Sequence, residues 1–318
     1  MNPDAARVAL RDAVATELAL PLPPAITDVA EMLAARGHGA ATAVLFYGSN
    51  LRSGALDGVL DYYVLVDSLR GWYGPGRWLP AAANRILPPS ILYLEPQWRG
   101  QTLRAKVAVL RADQFRRAMR RSGLDTTMWA RYSQPAALAW HRDAASRDAA
   151  VAAVTDAVIS AAGWAGRLGP AIGAANDYWQ ALFKRTYGAE LRVEKASRTD
   201  SLMAYGGERY DRLLPLAWAA DSLRFETLSD GRLRPAVSAF ARRLAASGWS
   251  LRHLLGKPLN FVRLMKSAYT FDGGVDYVLW KIERHSGVRM ELTPWQRRHP
   301  ILASPYVLWQ LRKRGAIR

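Results

Sequence analysis

Two apolar runs joined by a glycine turn constrain this chain more than anything else in it. Val44-Leu45-Phe46-Tyr47 runs into Gly48-Ser49-Asn50, and the second run, Val59-Leu60-Asp61-Tyr62-Tyr63-Val64-Leu65-Val66, carries an aspartate near its start. Short runs of β-branched and aromatic residues bounded by turn residues read as strands. Gly48 lets a backbone come close to a polyphosphate, and the Ser49 hydroxyl with nearby N–H groups can bind its oxygens. Asp61, fixed on a strand, can hold a Mg²⁺ that bridges such phosphates. An ordinary hairpin whose turn happens to contain Gly-Ser would carry the same residues.

Eleven residues lie between Ser49 and Asp61. This layout resembles the nucleotidyltransferases of the polymerase-β type, most of which carry Asp-x-Asp or Asp-x-Glu so that two acids on one strand face share the metals. Side chains alternate along a strand, so Asp61, Tyr63, Leu65 and Asp67 face one way, and Tyr63 takes the place of the second acid. Asp67 is six residues on, about 20 Å along the strand at roughly 3.3 Å per residue, and ends the strand or caps the next turn. A second metal ligand must come from Asp57 in the preceding loop, or from a distant acid such as Glu95 or Glu190.

The chain has 318 residues, 50% hydrophobic and 22% charged, enough for two domains or one large one. It has no cysteine, which excludes disulfides, thiol catalysis and cysteine metal sites and fits a cytoplasmic protein. Met1–Leu20 is broken by Asp4, Arg7, Arg11, Asp12 and Glu17 and lacks the apolar core of a signal peptide. The best candidate span, Ala149–Gly166, has Asp156 in its middle and reads as an Ala-rich helix buried in protein.

Charge is the second strong signal. The net charge is +17, of which +9 falls in residues 251–318, among them Trp280, Trp295 and Trp309. Cations interleaved with aromatics suit either nucleic acid or an anionic membrane surface. The run Tyr306–Leu311 leading into Arg312-Lys313-Arg314 favours the membrane, with Trp295 and Trp309 as interfacial anchors. A protein rich in Arg and Ala for reasons of genome composition is the plain alternative.

Periodicity predicts helices over Asp4–Leu18 and Ala25–Arg36, then strands over Ala41–Tyr47 and Val59–Val66. Gly71–Pro80 reads as a loop or lid. Ile91–Glu95 and Gln101–Leu110 follow as strands, the latter with Leu103, Ala105, Val107 and Val109 on one face and Arg104 and Lys106 on the other. From Asp113 onward the pattern is almost wholly helical. The expected fold is therefore α/β plus α: a polymerase-β-type domain with N-terminal helices over 1–120, a helical domain over 121–250, and a basic helical region over 251–318.

Tyr47-Gly48-Ser49, then Leu60-Asp61-Tyr62 opening an apolar strand, resembles the mitochondrial-type phosphatidate cytidylyltransferases, whose Tyr-Gly-Ser is followed by a single-acid strand. Trp78 to Asn84, Ile91-Leu92-Tyr93-Leu94 and Leu103–Val109 resemble later stretches of that family, and Arg185–Glu190 with Lys195 resembles a segment of its helical half. The resemblance is good over about residues 40–110. It implies CTP and phosphatidate as substrates, CDP-diacylglycerol and pyrophosphate as products, Mg²⁺ as cofactor, and a peripheral position on the inner face of the cell membrane. Tyr47, Gly48 and Ser49 would bind nucleotide, and Lys106 would pair with a substrate phosphate. Two rivals stand beside this reading. One is a nucleotidyltransferase acting on RNA or protein; the other is a non-catalytic basic interaction protein.

Overall fold

The computed structural model describes residues 2–189, 197–270, 279, 288 and 290–313. Two helices come first, α1 (Pro3–Leu18) and α2 (Pro24–Arg36), separated by the Pro21–Pro23 breaker. Asn2 caps α1 by accepting the Asp4 N–H at 3.0 Å. The sheet begins with β1 (Ala41–Tyr47), passes through the short α3 (Ser49–Ser53), and returns antiparallel as β2 (Val59–Val66).

Gly71–Pro80, expected as a loop, contributes to two helices, α4 (Leu69–Tyr73) and α5 (Trp78–Ile86). Its Gly, Trp and Pro residues mask them, because the helices are short and punctuated by Gly74 and Gly76. Ser68 caps α4 through the Gly71 N–H. Strand β3 (Ser90–Leu94) follows, then a small ribbon of β4 (Gln97–Trp98) and β5 (Gln101–Thr102). The expected strand Gln101–Leu110 is thus split, with its main part forming β6 (Arg104–Arg111).

Helices α6 (Ala112–Ala118) and α7 (Thr127–Tyr132) lead to β7 (Ala136–His141), a strand inside the stretch expected to be helical. The order is β3-β6-β2-β1-β7, a mixed five-stranded sheet in which only β2 and β6 run parallel. Since β7 lies past residue 120, the sheet draws its edge from beyond the expected domain limit.

Both faces of the sheet are covered, as near-continuous apolar strands require. On one face Val44, Phe46, Tyr62, Val64, Val107 and Val109 pack against α2, α4 and α5. On the other, Leu45, Tyr63, Leu65, Ala108 and Leu110 meet α1, α6, α7 and the long α8 (Ala144–Leu168). Outside α8 lie α9 (Ala175–Ala189) and α10 (Ser197–Ala220), a hairpin of β8 (Phe225–Thr227) and β9 (Leu233–Pro235), and the 32-residue α11 (Ala239–Thr270). Helices Pro294–Arg298 and Pro300–Lys313 complete the described chain. One hydrophobic cluster runs from Leu10 to Trp249, so α1 shares its core with the helical half.

Helix α8 is the one helix among the described residues long and apolar enough to cross a membrane, and 83% of its apolar window is buried in the protein. Asp156, which breaks that window, is ion-paired with Arg7 of α1. Most of the tryptophans outside the C-terminal region are core residues: Trp129, Trp179 and Trp218 are fully buried. Each such side chain removes roughly 150–250 Å² from water and dominates its local packing.

Candidate active site: a glycine turn, an aspartate and a cation-lined cavity

The antiparallel register of β1 and β2 places Tyr47 opposite Asp61, and the parallel register of β2 and β6 places Lys106 opposite Asp61 on the other side. Paired residues share a face, so the three candidate side chains converge from three adjacent strands. The Tyr47 hydroxyl lies 3.5 Å from Asp61 Oδ1, and Lys106 Nζ lies 3.7 Å from the same oxygen. The side chains of Asp61 and Lys106 are 26% and 34% exposed, within reach of a ligand.

Gly48 turns the chain out of β1 with φ +103° and ψ −163°, a region essentially restricted to glycine. A Cβ there would stand 3.2 Å from Asp61 Oδ2, so the bare backbone faces the carboxylate directly. Ser49 is exposed next to it. Buried Asn50 closes the following loop by donating from Nδ2 to the Ala55 carbonyl at 2.7 Å.

Tyr63, at the place of a second acid, is buried and accepts a 2.5 Å hydrogen bond from Arg131 Nη1 of α7. Burial raises its hydroxyl above the ordinary value, against the pull of the Arg131 charge, so it is a neutral phenol. The Arg131 guanidinium also lies over the Tyr47 and Tyr63 rings, 5.1 and 5.7 Å from their centroids.

A cavity of about 180 Å³ opens at this point, and Lys106, Arg131 and Arg263 supply its cations. Arg263 comes from α11 and pairs with Asp125 at 2.8 Å; both side chains are largely buried. Burial alone would raise the Asp125 carboxyl, yet it titrates below its ordinary range because the Arg263 charge and the Thr127 N–H outweigh that cost.

One turn further along α11, Lys266 Nζ donates to the carbonyls of Leu87 and Pro89 at 2.5 and 2.7 Å. Burial, with Arg263 adding to it, pushes this ammonium down to about 8. Arg252 donates to the carbonyls of Arg121 and Gly123 at 3.0 and 3.1 Å. Three cations of one helix therefore fasten it to the loops around the cavity.

Of the residues singled out in the sequence, the fold brings together Tyr47, Gly48, Asp61 and Lys106. Glu95 lies on the β3 side of β6, away from β2. Its carboxylate accepts the Tyr93 hydroxyl at 2.9 Å and sits 3.8 Å from Arg104 Nε. Asp57 lies in the loop two residues ahead of β2. Asp67 is bound to Arg142 at 2.7 Å at the opposite end of the strand. Glu190, Lys195, Trp280, Arg314 and the side chain of Arg312 lie outside the described residues.

Trp295 and Trp309 are 56% and 57% exposed, and Lys313 Nζ sits 5.4 Å from the Trp309 ring centroid. Sequence reasoning missed Arg131 and Arg263. In a chain with 44 Lys and Arg, neither stands out without the fold that carries it to β2.

Among the described residues, no three His, Asp or Glu side chains gather into a metal-holding group. Mg²⁺ that arrives on a nucleoside triphosphate keeps several waters and takes only one or two protein carboxylates. Asp61, a partly exposed hard-oxygen ligand facing a glycine turn, fits such a shared ion. No family model matches the chain, and no curated protein matches it.

Proposed function

We propose that this chain is a nucleotidyltransferase of the polymerase-β type that joins CTP to phosphatidate, giving CDP-diacylglycerol and pyrophosphate. The observation that carries the reading is the convergence of the Gly48 backbone, the Asp61 carboxylate and the Lys106 ammonium from three adjacent strands. The choice of CTP and phosphatidate rests on the sequence resemblance over residues 40–110.

In this reading the Gly48-Ser49 turn receives the triphosphate, which no side chain at position 48 obstructs. Asp61 would hold Mg²⁺, which when bound supplies charge neutralisation at the phosphates. Lys106, 3.7 Å from Asp61, would offer its ammonium to a substrate phosphate beside that carboxylate. The nucleophile is already a phosphate anion, so the chain's work is positioning and charge balance, and no general base is needed.

An anionic membrane would present the acceptor. Two features support peripheral docking. Trp295 and Trp309 are exposed, the latter beside Lys313, and α11 has no Asp or Glu over its whole length while exposing Phe240, Leu244, Leu251 and Leu254.

The test offers each of the four nucleoside triphosphates with phosphatidate-containing vesicles and Mg²⁺, and reads pyrophosphate and product mass. CTP-dependent formation of CDP-diacylglycerol is expected, and Asp61→Asn should keep the fold and lose most turnover, a neutral amide being a poor ligand for a hard cation. Full activity in a folded Asp61→Asn chain, or no phosphatidate-dependent release with any nucleotide, would sink the proposal.

A further inference from the structure

Sites that use two carboxylates on one strand face clamp the reacting phosphates between two metal ions about 3.5–4 Å apart. Here the second position on that face is Tyr63, a buried neutral phenol. A cation reaches it all the same: Arg131 binds the Tyr63 hydroxyl at 2.5 Å and lines the cavity together with Lys106. Tyr47 joins the two halves of the site, its hydroxyl 3.5 Å from Asp61 and its ring 5.1 Å from the Arg131 guanidinium.

We propose that Arg131 does the work of the second metal ion, binding the phosphate of the acceptor in the cavity beside Asp61. The inference rests on the nucleotidyltransferase reading and deepens it by assigning the acceptor subsite. A guanidinium presents donors in a planar fork, so Arg131 can spend one N–H on Tyr63 and direct others at a phosphate. Tyr63 is the positioning residue: its hydroxyl fixes the fork, and its ring and that of Tyr47 support the guanidinium plane.

The chemistry of the lining agrees. An alcohol acceptor must lose a proton as it attacks, which calls for a base. Among the described residues lining the cavity there is no histidine, and the acid, Asp125, is engaged by Arg263. A fully ionised phosphate monoester needs no base. Its oxygen forms the new bond to the α-phosphorus, the bond from that phosphorus to the bridging oxygen breaks, and pyrophosphate leaves with the electron pair.

The experiment uses the full chain and dihexanoyl phosphatidate as a water-soluble probe. Binding is measured by calorimetry with EDTA and without nucleotide, for wild type, Arg131→Met, Arg131→Lys and Tyr63→Phe, each checked for fold by circular dichroism. Wild type is expected to bind, and Arg131→Met to lose about ten- to hundredfold in affinity, the usual effect of deleting a charged hydrogen-bond partner. Arg131→Lys should lose less, keeping a charge without the fork, and Tyr63→Phe should also lose affinity. In pyrophosphate-release assays the Arg131→Met penalty should fall on KM for the acceptor and leave KM for the nucleotide unchanged.

Failure of wild type to bind the probe, or equal binding by wild type, Arg131→Met and Arg131→Lys, overturns the assignment. So does a penalty that falls on the nucleotide. If Arg131→Met does not fold, the Arg131→Lys and Tyr63→Phe affinities decide, and wild-type values in both overturn it. A chain that binds the probe through Arg131 but releases no pyrophosphate with any nucleotide would overturn the transferase reading and leave the anion site standing. An active chain indifferent to Arg131→Met would do the reverse.

Discussion

A methyl group on Gly48 would stand 3.2 Å from Oδ2 of Asp61. The glycine and the carboxylate therefore form one surface, and a side chain at position 48 would intrude on both. Gly48→Ala must also hold φ near +103°, which costs about 1–3 kcal/mol in this region of backbone space. Gly48→Val is expected to lose nucleotide affinity in calorimetry while retaining native circular dichroism at low temperature. Unchanged binding would reduce the turn to a structural role.

The Asp125–Arg263 pair ties α11 to the loop ahead of α7. Because the Asp125 carboxyl titrates below its ordinary value, its contribution is present in full above about pH 3.8 and is lost as pH falls through the lower folded value. Asp125→Asn should cost on the order of 2 kcal/mol at neutral pH and should flatten the acid limb of the stability profile. Urea midpoints measured across the acid range for both chains check this. Parallel profiles would show that the pair contributes nothing specific.

Lys266 behaves in the opposite sense. Its ammonium is pushed down to about 8 from 10.5, so between those values the unfolded chain binds more protons than the folded one, and stability rises with pH. The wild-type denaturation midpoint should therefore rise from pH 8 upward relative to that of Lys266→Met, which lacks the titrating group. A constant difference across this window would contradict the burial of Lys266.

The helix Pro300–Lys313 exposes Leu302, Tyr306 and Trp309, spaced four and three residues apart on one face. With Lys313 at its end, this face suits interfacial insertion beside acidic headgroups. A chain truncated after Pro300, or one carrying Tyr306→Ser and Trp309→Ser, should float less with phosphatidate-rich vesicles, and the difference should shrink in high salt. Equal flotation with neutral and anionic vesicles would remove this role.

What the sequence made legible follows from local chemistry. Strands Ala41–Tyr47 and Val59–Val66 were readable because their apolar runs are long and bounded by turn residues, and Asp61 and Lys106 because each breaks an apolar run. Strand β7 was hidden because Ala136-Ala137-Leu138-Ala139-Trp140-His141 is rich in alanine and sits between helices. Only pairing with β1 makes it a strand. Arg131 and Arg263 were hidden for another reason. Their roles depend on partners 68 and 138 positions away, Tyr63 and Asp125, and no local pattern marks an arginine that will reach another element.

The shared core of α1 and α10 has a consequence for synthesis on the ribosome. Glu17 of α1 accepts a 2.6 Å hydrogen bond from Arg209 of α10, 192 residues later, and the apolar face of α1 packs into the same cluster. At roughly 5–20 residues per second, the first helix waits about ten to forty seconds for its partner to be made. Until then Leu10, Val14 and Leu18 lack part of the surface that buries them in the finished protein, the remainder coming from β7 and α8. Early termination near residue 120 would yield a sheet lacking its β7 edge and the α8 and α10 surfaces against which α1 packs.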